Sequence, residues 1–79
     1  MSNPGENLPD PLVADGRRLA AMLQFGLRTV RTLDSMGKLP PPIRIGGRVV
    51  WRIAEIEAWL DAGTPDRATW IAIRDSKKY

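Results

Sequence analysis

The 79-residue chain has no cysteine and no histidine. Without thiols there is no disulfide or thiolate metal ligand to staple a small fold. Without imidazoles as well, most catalytic triads, zinc sites and nucleophile–base pairs have nothing to be built from. Aromatic residues make up only 6% of the chain. No apolar run is long enough to span a bilayer. The opening Met1-Ser2-Asn3-Pro4-Gly5-Glu6 is polar and lacks the apolar stretch of a secretory signal. These absences suit a cytoplasmic protein that needs no cofactor and no metal. Nothing in the sequence assembles a nucleophile, a base and a substrate pocket, so no enzymatic activity is expected.

What is present is a small set of large apolar side chains and an uneven distribution of charge. The length allows one small domain. Its expected core is Leu19, Leu23, Phe25, Val30, Leu33, Trp51, Ile56, Trp59 and Leu60. The net charge of +3 conceals three zones. Residues 1–14 carry only Glu6 and Asp10. Residues 15–52 carry Arg17, Arg18, Arg28, Arg31, Lys38, Arg44, Arg48 and Arg52 against Asp15 and Asp34, a local balance of +6. Residues 53–79 return to a slight acidic excess. A concentrated basic zone is the footprint of a polyanionic partner, or else a solvated face on a small protein.

Residues 1–12 contain Pro4, Gly5, Pro9 and Pro11 and no periodicity, which predicts a mobile arm joining the fold near Leu12-Val13. Asp15 is a candidate N-cap for a short helix, with Leu19 and Leu23 on one face and Ala20 beside them. Gln24-Phe25-Gly26 breaks that helix: Gly26 is expected to supply the backbone freedom and Phe25 to plug the corner. A second helix runs from about Leu27 to Met36 and stops at Gly37. Val30, Leu33 and Met36 form its apolar side. Arg28, Thr29, Arg31 and Thr32 lie on its other faces, where Arg can read guanine and Thr can reach a phosphate or a thymine methyl. Equally, they are ordinary surface residues, with Arg31 pairing Asp34 at i+3.

The sharpest local signal follows. Lys38-Leu39-Pro40-Pro41-Pro42 leads, stiff and extended, into Ile43-Arg44-Ile45, then Gly46-Gly47, then Arg48-Val49-Val50-Trp51-Arg52. A Gly-Gly pair between two β-prone runs predicts a tight hairpin, because primed turns require positive φ. Arg44, Arg48 and Arg52 are expected to line an outer basic edge, and the glycines to let the backbone approach a phosphate or the minor groove. A hairpin that merely covers the core is the alternative.

A third helix, Ile53 to Ala62, has a predicted stripe of Ile53, Ile56, Trp59 and Leu60. Glu55 and Glu57 fall off that stripe, where the helix dipole favours anions; two positions apart they diverge and do not form an acid–base pair. Gly63 ends the helix. Thr64-Pro65-Asp66 reads as an N-cap, a proline at the first helical position and an acid in the first turn of a last helix from about Pro65 to Lys77, with a strand over Thr69–Ile73 as the competing reading. Trp70, Ile71 and Ile73 make an apolar patch that either packs back on the domain or meets another chain.

Arg28-Thr29-Val30-Arg31, Met36-Gly37-Lys38-Leu39-Pro40, Pro42-Ile43-Arg44-Ile45-Gly46-Gly47-Arg48, and Trp51 with Glu55-Ile56-Glu57-Ala58-Trp59-Leu60 together resemble the excisionase and AlpA-type group of small winged helix-turn-helix proteins, related to the DNA-binding domain of MerR-type regulators. The resemblance covers about Leu12 to Leu60. It implies a mainly α fold with a small β-hairpin: an arm over 1–12, a winged helix-turn-helix over 13–62 and a helical extension over 63–79. It also implies a DNA-binding factor of a prophage or integrated element, acting in the nucleoid as a transcriptional regulator or as a directionality factor beside a partner integrase. Family DNA contacts fall here on Arg28, Thr29, Arg31, Arg44 and Arg48. With the residues argued above, the candidate DNA-binding set is Arg28, Thr29, Arg31, Thr32, Lys38, Arg44, Gly46, Gly47 and Arg48. The chain departs from the pattern at Gly26 and Ala54, where the family commonly offers serine. Gly26 bears on one phosphate contact and Ala54 on helix stability. A protein-interaction adaptor, whose basic face meets an acidic protein, is the alternative function. Neither the target site nor the choice among activator, repressor and excision factor is readable from the sequence.

Overall fold

A computed structural model describes residues 10–77; the arm expected over 1–12 lies mostly outside them. The chain order is β1 (Val13–Asp15), α1 (Gly16–Leu23), α2 (Leu27–Ser35), β2 (Ile43–Ile45), β3 (Arg48–Arg52), α3 (Ile53–Asp61) and α4 (Arg67–Lys77). The strands form one antiparallel sheet in the order β1-β3-β2. The expected two-stranded hairpin is therefore the larger part of a three-stranded sheet. β1 went unanticipated because three residues carry no periodicity. It is held by pairing Val13 with Arg52 and Asp15 with Val50.

Asp15 caps α1 as expected, its Oδ1 accepting the Arg18 N–H at 2.9 Å. The turn into α2 differs from expectation. Gln24, with φ 61°, takes the left-handed conformation, while Gly26 sits at φ −77°, accessible to any residue. The Phe25 N–H closes the end of α1 on Ala20 O at 2.8 Å, but the ring is 47% exposed and plugs nothing. The end of α2 agrees with the sequence: Gly37 adopts φ 71°, and the Lys38 N–H returns to Leu33 O at 2.8 Å. Met36, placed on the apolar side, is exposed.

Among the described residues ten form the buried apolar core; Leu19, Val30, Leu39, Val50, Trp51, Ile56, Trp59 and Trp70 are its large members. Leu39 and Trp70 replace Phe25 and Leu60 of the expected list. One cause underlies both changes on the C-terminal side. α4 packs against α3 and delivers Trp70 to the core, so the buried side of α3 becomes Glu55, Ile56 and Trp59 and Leu60 is turned out. Residues 69–73 are helical, and the competing strand is excluded. The α4 cap is Asp66, whose Oδ1 accepts the Thr69 N–H at 2.9 Å; Thr64, the expected cap, stands outside the helix with φ 54°. Trp70, one of the three residues of the expected association patch, is 2% exposed and unavailable to a second chain; Ile73 packs against the same core.

Each tryptophan N–H has an acceptor, as burial of an indole requires. Trp51 Nε1 donates to Pro40 O, Trp59 Nε1 to Pro65 O, and Trp70 Nε1 to Glu55 Oε2, at 2.8–2.9 Å. Among the described residues Glu55 is the one buried charged residue, and it also accepts from Arg74 Nη1 at 3.2 Å. It was expected on an open face. It is instead the polar centre of the α3–α4 contact, where a carboxylate is tolerable only because it is paired and hydrogen-bonded. No described helix is long and apolar enough to cross a membrane.

Candidate nucleic-acid interface

The short turn between α1 and α2, with Val30 buried and Leu33 packed against the core, leaves the opposite side of α2 facing out. Arg28, Thr29, Arg31 and Thr32 are all exposed, and Lys38 is exposed just past its end. A shallow depression of about 480 Å³ runs along this face between Leu27, Arg28, Arg31, Thr32 and Ser35. A second furrow, of about 380 Å³, separates α2 from the hairpin and the start of α1, with Arg17, Leu27, Arg31, Val49 and Trp51 among its walls. Arg31 lines both. It is the ridge residue between the outer face of α2 and the cleft beside the hairpin.

The hairpin turn is built as expected. Gly46 and Gly47 have φ of 56° and 87°, and no atom lies within 4 Å of where a Cβ would stand on either. Their backbone is therefore open to close approach. The register corrects the arrangement of its arginines. Ile43 pairs with Val50, Arg44 with Val49 and Ile45 with Arg48. Cross-strand partners share a face, and successive residues alternate. Arg44 thus shares the face of Val49 and Trp51, toward the α2 furrow, while Arg48 and Arg52 belong to the opposite face. The three do not form one basic edge. Arg52 instead lines a cavity of about 640 Å³ with Pro41, Pro42, Ile43 and Arg74.

Arg48 is also occupied: its Nη2 lies 3.1 Å from Asp15 Oδ2. The Asp15 carboxyl is held below the usual aspartate range, first by the Arg18 N–H and then, against the cost of burial, by Arg48 and Arg17. It remains charged and keeps its claim on Arg48. Being an exposed pair, it adds little to stability and can exchange partners.

Asp34, expected to pair with Arg31 along α2, is taken elsewhere. Arg67 Nη2 reaches Asp34 Oδ1 at 2.6 Å. Among the described residues Arg17, Arg28, Arg31, Lys38 and Arg44 make no ion pair. The structure thus brings Arg28, Thr29, Arg31 and Thr32 together on α2, sets Arg44 on the same sheet face as Val49, and keeps Arg48 on the other face of the sheet. Arg17 was absent from the candidate set; its signal was its place in the first turn of α1. Comparison with protein families, with curated proteins and with solved structures returns no match to this chain.

Proposed function

We propose that this chain is a sequence-specific double-stranded DNA-binding protein of winged helix-turn-helix type. α2 enters the major groove, and the β2–β3 hairpin lies along the adjacent backbone or minor groove. The observation that carries this reading is the separation of acids from bases. The two acids among residues 15–52 are engaged, Asp15 by Arg18 and Arg48 and Asp34 by Arg67. Among the described residues Arg28, Arg31 and Arg44 are left exposed and in no ion pair, while the two carboxylates that share the furrow with Arg31, Asp15 and Asp34, are held by other partners. Unneutralised guanidinium groups flanking Thr29 and Thr32 suit phosphate and base-edge contact.

The resemblance to excisionase and AlpA-type proteins extends the proposal to a mobile-element regulator or directionality factor, nucleoid-associated and working beside an integrase. A single α2 covers a short stretch of duplex, so useful affinity comes from repeated sites. Since Trp70 is turned inward, any contact between copies uses other residues. Fluorescence-anisotropy titration tests the reading, using duplexes from upstream of the gene and from nearby integration junctions against random duplex. Preference for one duplex is expected. Folded protein that binds no duplex at low salt would end the DNA reading and favour an acidic protein partner.

A further inference from the structure

The segment between α2 and the hairpin is proline-rich and forms no regular structure, yet Leu39 and Pro40 are fully buried. Its buried carbonyls need donors, and side chains from elsewhere provide them. Trp51 Nε1, on β3, takes Pro40 O at 2.9 Å. Arg67, the first residue of α4, serves two more of them and reaches back to Asp34. Its Nε donates to Leu39 O at 2.9 Å, its Nη2 to Asp34 O at 3.2 Å and to Asp34 Oδ1 at 2.6 Å, and its backbone N–H to Gly37 O at 2.9 Å. One residue therefore closes the free carbonyl end of α2, where a cation is favoured, and ties that end to the strand-bound linker.

We propose that Arg67 is a positioning residue: it fixes the angle between α2 and the hairpin, and through that angle the discrimination between DNA sequences. The proposal rests on the DNA-binding reading above. Arg67 is half-buried against the end of α2 and the linker, so it contributes discrimination without touching DNA. The planar guanidinium is essential to the role, because Nε and Nη2 serve two acceptors in fixed directions; an ammonium keeps the charge and loses the fork.

The test compares the full chain with Arg67→Lys and with Asp34→Asn, which preserves the backbone acceptors and removes one carboxylate. Each is titrated with the preferred duplex and with random duplex, and amide exchange is followed at Met36, Gly37 and Lys38, whose N–H groups close the end of α2. For Arg67→Lys the expected result is a loss of about tenfold for the preferred duplex, less than twofold for random duplex, and faster exchange at those three amides. Asp34→Asn should shift the ratio in the same direction by less. A role confined to stability would lower both affinities together or neither, and either outcome overturns the proposal. Unchanged exchange at the end of α2 overturns it as well. A wild-type chain that binds no duplex fails earlier, in the parent reading, and takes this proposal with it.

Discussion

Two populations of arginine divide this molecule. On α4, Arg67 and Arg74 are partly buried and each is fixed by a carboxylate: Arg67 by Asp34, Arg74 by Glu55 and Asp75. Glu55, more than Asp75, raises the Arg74 pKa above its ordinary value against the cost of burial. On α2 and the hairpin, Arg28, Arg31 and Arg44 are exposed with no such partner. The same side chain serves as a brace in one place and as an unfilled valence in the other. Net charge does not distinguish them; the placement of carboxylates does. The acids of the C-terminal region hold the fold together, while the acid nearest α2's arginines has been drawn away by Arg67.

If α4 is scaffold, removing its anchor should melt the whole domain. Trp70→Ala deletes a core indole and is expected to cost about 3–5 kcal/mol, giving a single cooperative loss of helix in urea. Separate melting of α4 with the rest intact would show that the two regions are independent. The exposed population should behave in the opposite way. Arg28→Ala with Arg31→Ala should leave stability within about 0.5 kcal/mol and weaken the preferred duplex by about 1–3 kcal/mol for each lost bidentate contact. Denaturation and anisotropy on the same samples check both halves of that statement.

The hairpin sharpens the contrast within the basic zone itself. Arg44→Ala should lower the salt dependence of binding by about one phosphate contact. Arg48→Ala should lower it less, since Arg48 lies on the other face and is shared with Asp15; equal effects would place both faces of the hairpin on DNA. A smaller effect concerns acid. The folded-state pKa values of Asp15 and Asp66 are depressed, the latter by the Thr69 side chain and N–H. Their contribution is therefore full above the unfolded value near 4 and is lost as pH falls through the folded values. Stability should decline below about pH 4, and Asp15→Asn should flatten part of that decline in acid titrations followed by circular dichroism. The smallest effect is at the α2 N-terminus, where Gly26 offers no side-chain cap and has open space for one. Gly26→Ser should add a few tenths of a kcal/mol to stability, read as a small rise in Tm.

The order of helices and hairpin was legible in the sequence because its signals are local. Asp15 ahead of a short apolar face, Gly37 after another, and Gly46-Gly47 between β-prone runs each act within a few residues. What was not legible depends on partners far along the chain. Glu55 looked like a solvent-facing acid until α4 supplied Trp70 and Arg74, 15 and 19 positions away. Arg67 meets Asp34 across 33 positions, and no periodicity reports that. Leu60 satisfied the helical spacing and still faces out, because spacing defines a face but not which neighbour will cover it. Of the candidate DNA set, the residues of α2 fall on one exposed surface as read from the sequence. The hairpin arginines do not, because their faces follow from register, which three residues on β2 could not declare.

The central claim is that the unpaired arginines of α2 and its neighbourhood bind phosphate and the carboxylate-paired arginines of α4 do not. The most direct test is the salt dependence of duplex binding for the wild type, for Arg28→Ala/Arg31→Ala and for Arg74→Met, each confirmed folded. Each phosphate contact contributes about −0.9 to the slope of log K against log salt. With Arg17, Arg28, Arg31, Lys38 and Arg44 engaged, the wild-type slope is expected to be about −4.5. The double variant should fall to about −2 to −3, and Arg74→Met should match the wild type. A slope unchanged in the double variant, or reduced as much by Arg74→Met, would contradict the division on which this account rests.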